Sequence, residues 1–219
     1  RSLLEQTWQN LQIIVIDDCS PDNTCEVVED YVRRDPRVEL VRMEQNGGAY
    51  VARNRGLELA RGTYVTLHDA DDWSHPHKIE FQVRYMEDHP EIMGSTTQQA
   101  RSTADMIFNR WSGAMHCLKI NVSSFMFRRE EMRATLGCWD TVRFAADSEL
   151  LGRMRAVYGK QSVAAIKTGP LSFQRDSASS IVGDEVLGMR GFYFGVRKEY
   201  YDAQVAYHGR EEHLKYDGD

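Results

Sequence analysis

Three carboxylates fall within four positions at Asp69-Ala70-Asp71-Asp72, directly after the apolar run Tyr64-Val65-Thr66-Leu67. Such crowding of like charge is repulsive unless a cation offsets it. Hard divalent ions such as Mg²⁺ or Mn²⁺ take oxygen ligands and commonly bind through one or two carboxylates plus substrate phosphates. A solvated acidic turn capping the helix that starts near Pro76 would use the same residue types without a metal. A second acidic turn, Asp17-Asp18-Cys19-Ser20-Pro21-Asp22-Asn23-Thr24, closes another apolar run. A carboxylate there can accept from an imide N–H or a ribose hydroxyl. Asp22 and Asn23 have an ordinary reading too, as Asx-turn and helix-capping residues. The third segment, Asn46-Gly47-Gly48, opens a stretch carrying Arg53 and Asn54. Glycines before a helix let backbone N–H groups approach a ligand, although the spacing here is neither that of a P-loop nor that of the dinucleotide fingerprint.

The elements that must position these residues follow from periodicity. Residues 11–16 are short, β-branched and almost continuously apolar, which predicts a strand covered on both faces. Val27, Val28, Tyr31 and Val32 recur at helical spacing until Asp35-Pro36 stops the pattern. A strand over 38–41, a helix over 49–60 and a strand over 64–67 come next. Strands alternating with helices predict βαβ crossovers and a mostly parallel α/β sheet, in which ligands sit beyond the carboxyl ends of the strands. Both acidic turns then open on one sheet edge. The later pattern predicts helices over 76–89, 129–135, 147–158 and 184–201 and a strand over 121–127, with an ambiguous polar stretch over 96–114. Residues 1–8 read as the second half of an amphipathic helix, so that the chain starts mid-element, and the charged tail 211–219 reads as solvated.

Composition removes several function classes. A chain of 219 residues suits one enzyme-sized domain. Its net charge of −6 provides no basic field for a nucleic-acid backbone. Four cysteines without C-x-x-C pairing fit a reduced, cytoplasmic compartment. No run reaches the roughly 18 apolar residues that a membrane span needs. His75 and His77 are expected to face solvent, the methionines to fill the core, and Asn121-Val122-Ser123 matches a glycosylation sequon inside an expected strand.

The three segments, in this order and spacing, resemble family 2 glycosyltransferases with the GT-A fold. The family pattern is an Asp-Asp-Gly-Ser-x-Asp-x-Thr turn, then Asn-x-Gly-x-x-x-Ala-Arg-Asn-x-Gly, then a strand ending Asp-x-Asp-Asp. Asp17 to Thr24 match with Cys19 in place of glycine, Asn46 to Gly56 match in order, and Asp69 to Asp72 complete the set. The resemblance implies that Asp17 and Asp18 contact the nucleotide, that Asp69 lies near ribose and phosphates, and that Asp71 is the metal ligand. Arg53 and Asn54 would line the donor pocket. It also implies a first strand, with its nucleotide loop, ahead of residue 1.

Phe144 to Arg153 look like the acceptor-side segment of that family, with Asp147 at the position of the catalytic base and Ala146 where glutamate is frequent. Capping and dipole effects alone would also select an acid at Asp147. Glu149, on a different helix face, is the alternative base. Phe173 to Ser180 resemble the family segment in which Arg175 would steady the diphosphate leaving group, although the histidine of many members is absent and a surface ion pair is the plain reading of this arginine.

The implied enzyme is an inverting glycosyltransferase that moves a sugar from a nucleotide-diphosphate donor, UDP being the family's usual carrier, to a hydroxyl on a glycan, a lipid-linked or another acceptor. Mn²⁺ or Mg²⁺ would be its cofactor. Residues 1–95 would form the donor half, 96–182 the acceptor and catalytic half, and 183–219 a C-terminal helix and tail of the same domain. Any peripheral membrane association would run through flanking sequence. The rival readings are a nucleotide-sugar-binding module impaired in catalysis and a sugar-nucleotide nucleotidyltransferase, which would release pyrophosphate.

Overall fold

The computed structural model describes residues 1–105, 107, 108, 117–176 and 194–218. Strand β1 (Ile13–Asp17) is a run of β-branched residues, and it pairs in parallel with β2 (Val38–Arg42) from Ile13↔Val38 to Asp17↔Arg42. Helix α1 (Thr24–Arg34) makes the crossover. It carries Glu26 in its first turn and Arg33 and Arg34 in its last, the arrangement its dipole favours. It stops at Asp35, which the following Pro36 steers into extended backbone. Ile13 to Ile16 are each half-buried rather than fully covered, since β2 is the only strand bonded to β1 among the described residues.

Helix α2 (Ala49–Leu59) follows Gly48, whose φ of +88° suits glycine. Strands β3 (Tyr64–Thr66) and β4 (Trp73–Ser74), helix α3 (Lys78–Asp88), β5 (Gly94–Ser102), β6 (Leu118–Ile120) and β7 (Met126–Arg128) come next. Helices α4 (Arg129–Thr135) and α5 (Ala146–Tyr158), strand β8 (Val163–Arg175) and α6 (Val196–His208) follow among the described residues. Among the described residues the second sheet has six strands in the order β3-β7-β5-β8-β4, with β6 added on β5. Among the described residues β1 pairs with β2 and β5 with β8 in parallel, while the other paired strands are antiparallel, so the α/β fold rests on mixed pairing.

The second half departs most from the sequence pattern. The ambiguous stretch begins as β5, whose Ser95, Thr96 and Thr97 are buried in the middle of the sheet; residues 106 and 109–116 lie outside the described residues. The expected strand over 121–127 divides, because the buried Asn121 side chain donates to Ser124 Oγ and accepts from Ser123 Oγ and the Ser124 N–H, closing a turn between β6 and β7. The sequon asparagine is therefore inside the protein. Of the helix expected over 184–201, residues 184–193 lie outside the described residues, and α6 runs on to His208.

Both chain ends correct the expectation, the second in part. Residues 1–8 form turns rather than helix, because the fully buried Gln6 side chain donates to the Ser2 and His75 carbonyls and accepts from the Ile79 N–H. The tail is solvated along most of its described length but docked at two points: Leu214 is buried, Tyr216 N–H donates to Leu136 O at 2.9 Å, and Arg153 stacks 3.7 Å from the Tyr216 ring centroid. Asp219 lies outside the described residues. The main core gathers Phe125, Phe127, Trp139, Leu150 and Met154 under α2, α4 and α5. A smaller one packs α3 through Ile79, Val83 and Met86 onto Met126. As expected, Met86, Met126, Met132 and Met154 are core residues.

Candidate active site

The turn after β3 is built by Asp69, whose carbonyl accepts the Asp72 N–H at 3.1 Å. Asp71 points out at its exposed tip. Asp72 is partly buried, and its carboxyl is pushed up to about 7 by burial and then by the charges of Asp69 and Asp71, while the Arg175 backbone and the Gln174 side chain donate to it. Below the turn lies Lys78, whose ammonium reaches Thr66 Oγ1 at 3.4 Å and the Ser124 carbonyl at 3.5 Å. Burial pushes Lys78 down to about 8, against the pull of Asp72. His68 packs its Nδ1 2.8 Å from the Asp69 carbonyl, and burial followed by the Lys78 charge holds it below the usual histidine range.

Arg53 connects this turn to the second half of the chain. Its Nη2 donates to Asp69 Oδ1 at 2.7 Å and its Nη1 to Asp147 Oδ1 at 2.6 Å. Tyr50, one turn earlier on the same face of α2, donates its hydroxyl to Asp147 Oδ2 at 3.3 Å and lies under the guanidinium. Burial alone would lower Arg53, but the charges of Asp147 and Asp69 outweigh it and hold the guanidinium above its ordinary value. Asp147 itself is buried in the first turn of α5, after Ala145 turns the chain through φ +63°. Burial pushes its carboxyl up to about 6 and outweighs the opposing Arg53 cation.

The other expected site residues divide into those near this bridge and those occupied elsewhere. Asp18 accepts the Gly47 N–H at 2.8 Å on one carboxylate oxygen and the Gly48 N–H at 2.7 Å on the other. It thereby holds the glycine turn, and the Asn46 side chain donates to its carbonyl. Asp17 is buried in its own turn, and hydrogen bonding from Ser20 keeps its carboxyl below the usual range despite burial. The Asn54 amide makes a two-way bracket with the Trp139 backbone, both bonds 2.9 Å, that ties α2 to the loop before α5. Arg175 ends β8 with its side chain exposed and its backbone on Asp72. Ser177 to Ser180 of its expected segment lie outside the described residues.

Glu149, the alternative base, is fully buried. It pairs with Arg153 at 2.9 Å, also fully buried, and with His208 Nε2 of α6 at 2.9 Å. Arg153 further donates to the Leu136 and Cys138 carbonyls. Two participants escaped sequence reasoning. Tyr50 was legible as the residue one helical turn before Arg53, whereas a lysine inside an amphipathic helix ordinarily signals solvent, and nothing in the sequence marks Lys78 as buried. Histidines 75 and 77 behave as surface-facing residues in part only: His77 is exposed, while His75 is half-covered against Trp73.

Among the described residues no group of three or more histidine, cysteine or acidic side chains forms a ready metal cage. No helix among them is long and apolar enough to cross a membrane. What the arrangement offers is an exposed acidic turn, an arginine joining it to a buried carboxylate of raised pKa, and a glycine turn held open by Asp18. Residues 1–150 match the model of the family described as glycosyl transferase family 2. The chain is 34% identical over 108 residues to the glycosyltransferase GlyG of Streptococcus pneumoniae, a match covering 48% of this chain and 36% of that protein. It is 48% identical over 79 residues to the uncharacterized glycosyltransferase YibD of Escherichia coli, covering 36% of this chain and 23% of that one. Both matches thus span well under two thirds of the relatives' own length. The fold is similar to that of S. aureus TarS 1-349 in complex with UDP, with a TM-score of 0.60 at 16% identity over 92% of this chain and 69% of that one. It is also similar to the mannosyltransferase PcManGT from Pyrobaculum calidifontis in complex with GDP-Man and Mn²⁺, with a TM-score of 0.57 at 19% identity over 82% and 52% of the two chains. These structural likenesses bear on the fold alone and agree with the GT-A architecture, while the family match covers residues 1–150, which include Asp18, Arg53, Asp69 and Asp147: the chain belongs to glycosyl transferase family 2.

Proposed function

We propose that this chain transfers a glycosyl group from a nucleotide-diphosphate donor to an acceptor hydroxyl with inversion, Asp147 serving as the general base. The observation that carries this reading is the Asp69–Arg53–Asp147 bridge, which sets a buried carboxylate of raised pKa beside the acidic turn. In a single displacement the acceptor hydroxyl attacks the anomeric carbon, its proton passes to Asp147, and the bond to the nucleoside diphosphate breaks. A carboxylate with a pKa of about 6 is basic enough, because the hydroxyl becomes acidic as it attacks. Glu149 is unsuited to the role, being fully buried and engaged by Arg153 and His208.

The acidic turn fits a divalent cation of the Mg²⁺ or Mn²⁺ kind. Asp71 is exposed, and Asp69 keeps one oxygen outside its bond to Arg53, the sparse protein ligation that such ions complete with phosphate oxygens and water. When bound, the ion would neutralise charge on the leaving diphosphate. Arg175, exposed beside the same turn, would add a second positive charge there. Asp18 serves the nucleotide by shaping the glycine turn, and each of its carboxylate oxygens keeps a lone pair for a base or ribose donor. Asp17 and Asn54 act as braces. The carrier is taken as UDP, with dTDP and GDP as the other candidates.

The test is a thermal-shift panel of UDP-, dTDP- and GDP-sugars with and without Mn²⁺, followed by product analysis. One carrier should raise Tm in a metal-dependent way, with nucleoside diphosphate as the released product. Release of pyrophosphate, or stabilisation by none of the carriers, would overturn the reading.

A further inference from the structure

The acidic turn carries an aromatic surface on its far shoulder. Trp73 immediately follows Asp72 and is 42% exposed. The antiparallel pairing of β4 with β8 sets it opposite Phe173, ring centroids 5.3 Å apart. Phe108, 43% exposed, extends the row with its ring 6.0 Å from that of Phe173, and its backbone bridges to Ser102 at the end of β5. His75 meets the other side of Trp73 edge-on at 6.2 Å. Asp72 fastens this surface to the site twice, once as the residue before Trp73 and once by accepting from Gln174 and the Arg175 backbone, the two residues after Phe173.

Rings of this size normally bury most of their area, and contiguous exposed apolar surface with a polar rim marks an interaction site. The chemistry of the row selects among occupants. Aromatic faces carry a negative quadrupole and attract the slightly positive C–H groups of a saturated ring. His75 and Arg175, each two positions along the chain from Trp73 or Phe173 and so on the same face, supply hydrogen-bonding groups at the edge. A pyranose presents that combination, a face of C–H groups bordered by hydroxyls, whereas an acyl chain has no use for the polar rim. We propose that Trp73, Phe173 and Phe108 form the platform on which a pyranose ring of the acceptor stacks, making the acceptor a saccharide. This rests on the transferase reading and names its acceptor class.

Saturation-transfer NMR on the whole chain tests it, with methyl β-glucoside, methyl β-galactoside, methyl β-mannoside and methyl β-N-acetylglucosaminide as probes, alongside UDP, dTDP and GDP with Mg²⁺. At least one glycoside should show saturation of its ring C–H protons. Trp73→Ala and Phe108→Ala, both at exposed positions, should each cut that signal fivefold or more with Tm within about 4 °C of the parent, while Trp73→Phe keeps at least half. Octyl β-glucoside serves as the control for an apolar partner. Ring saturation that is unchanged in both alanine variants, absent for every glycoside, or replaced by saturation of the octyl chain alone would overturn the platform. Failure of all three nucleotides to bind would count against the donor reading instead, and the glycoside signals are read independently of it.

Discussion

At the scale of single residues, the site turns on one carboxyl. Asp147 stands at about 6 in the folded chain against about 3.9 in an unfolded one. A group raised on folding stabilises the protein fully below the unfolded value, and that contribution is lost as pH rises through 4 to 6, on the order of 3 kcal/mol in all. Ionised Asp147 is therefore a destabilising group at neutral pH that the proposed chemistry requires. Asp147→Asn should abolish transfer while leaving Tm at pH 7.5 equal to or above that of the parent, since it removes a buried charge and leaves Arg53 paired with Asp69. A variant that keeps transfer would remove Asp147 from the mechanism. In the parent, kcat/KM should fall on the acid side with a midpoint near pH 6. Arg53→Gln removes the cation that pulls this carboxyl down, so its pKa rises further and the acid limb should move upward, by about one pH unit or more, alongside the loss in rate. A limb that stays in place would separate Arg53 from Asp147.

At the scale of elements, α5 presents two acids to two environments. Asp147 and Glu149 are two positions apart, roughly 200° around the helix, so one meets Arg53 while the other meets Arg153 and His208. Glu149→Gln leaves a buried guanidinium without its counter-ion, and breaking such a pair costs about 3 kcal/mol or more. Tm should drop by about 6–12 °C, with kcat per folded molecule within about twofold of the parent. That outcome is the inverse of the one expected for Asp147→Asn, and loss of kcat without loss of Tm would transfer the base role to Glu149. The sequence could place both acids on one helix but not tell them apart, because their difference lies in partners 94 and 59 residues distant. Elements divide in the same way, between those fixed locally and those fixed by distant partners. Strand β1 and helices α1 and α3 announce themselves through local periodicity, and α2 through good helix formers after the Gly47-Gly48 turn. Strand β5 does not, since Ser95-Thr96-Thr97-Gln98-Gln99 carries no apolar alternation and is a strand only because β7, β6 and β8 bond to it. Strand β8 runs through Gly169-Pro170, which the sheet accommodates by a shift in register.

At the scale of the whole molecule, the last described segment is built onto the loop and helix that carry Asp147. Gly137 is the meeting point: it has φ +79°, and a Cβ there would sit 1.8 Å from the Tyr216 carbonyl oxygen. A side chain is thus excluded both by the left-handed backbone and by the strand-like bridge to Tyr216. Next to it, Arg153 runs from Glu149 to the Leu136, Cys138 and Leu214 carbonyls, with Tyr216 stacked on its guanidinium, while Tyr200 of α6 donates to Asp140 at 2.8 Å. The loop 136–140 that this network fixes is the one Asn54 brackets from α2, so Arg53 and Asp147 are held in register from behind by residues near the end of the described chain. Gly137→Ala should then do more than lower stability by about 2–4 kcal/mol. By releasing Tyr216 it loosens the support of α5, and proteolysis of the segment around 211–218 should accelerate together with a fall in kcat that added donor does not restore. Proteolysis that accelerates with kcat unchanged would mean that the docked segment stabilises the fold without positioning Asp147, and would confine the catalytic unit to the elements from β1 through α5.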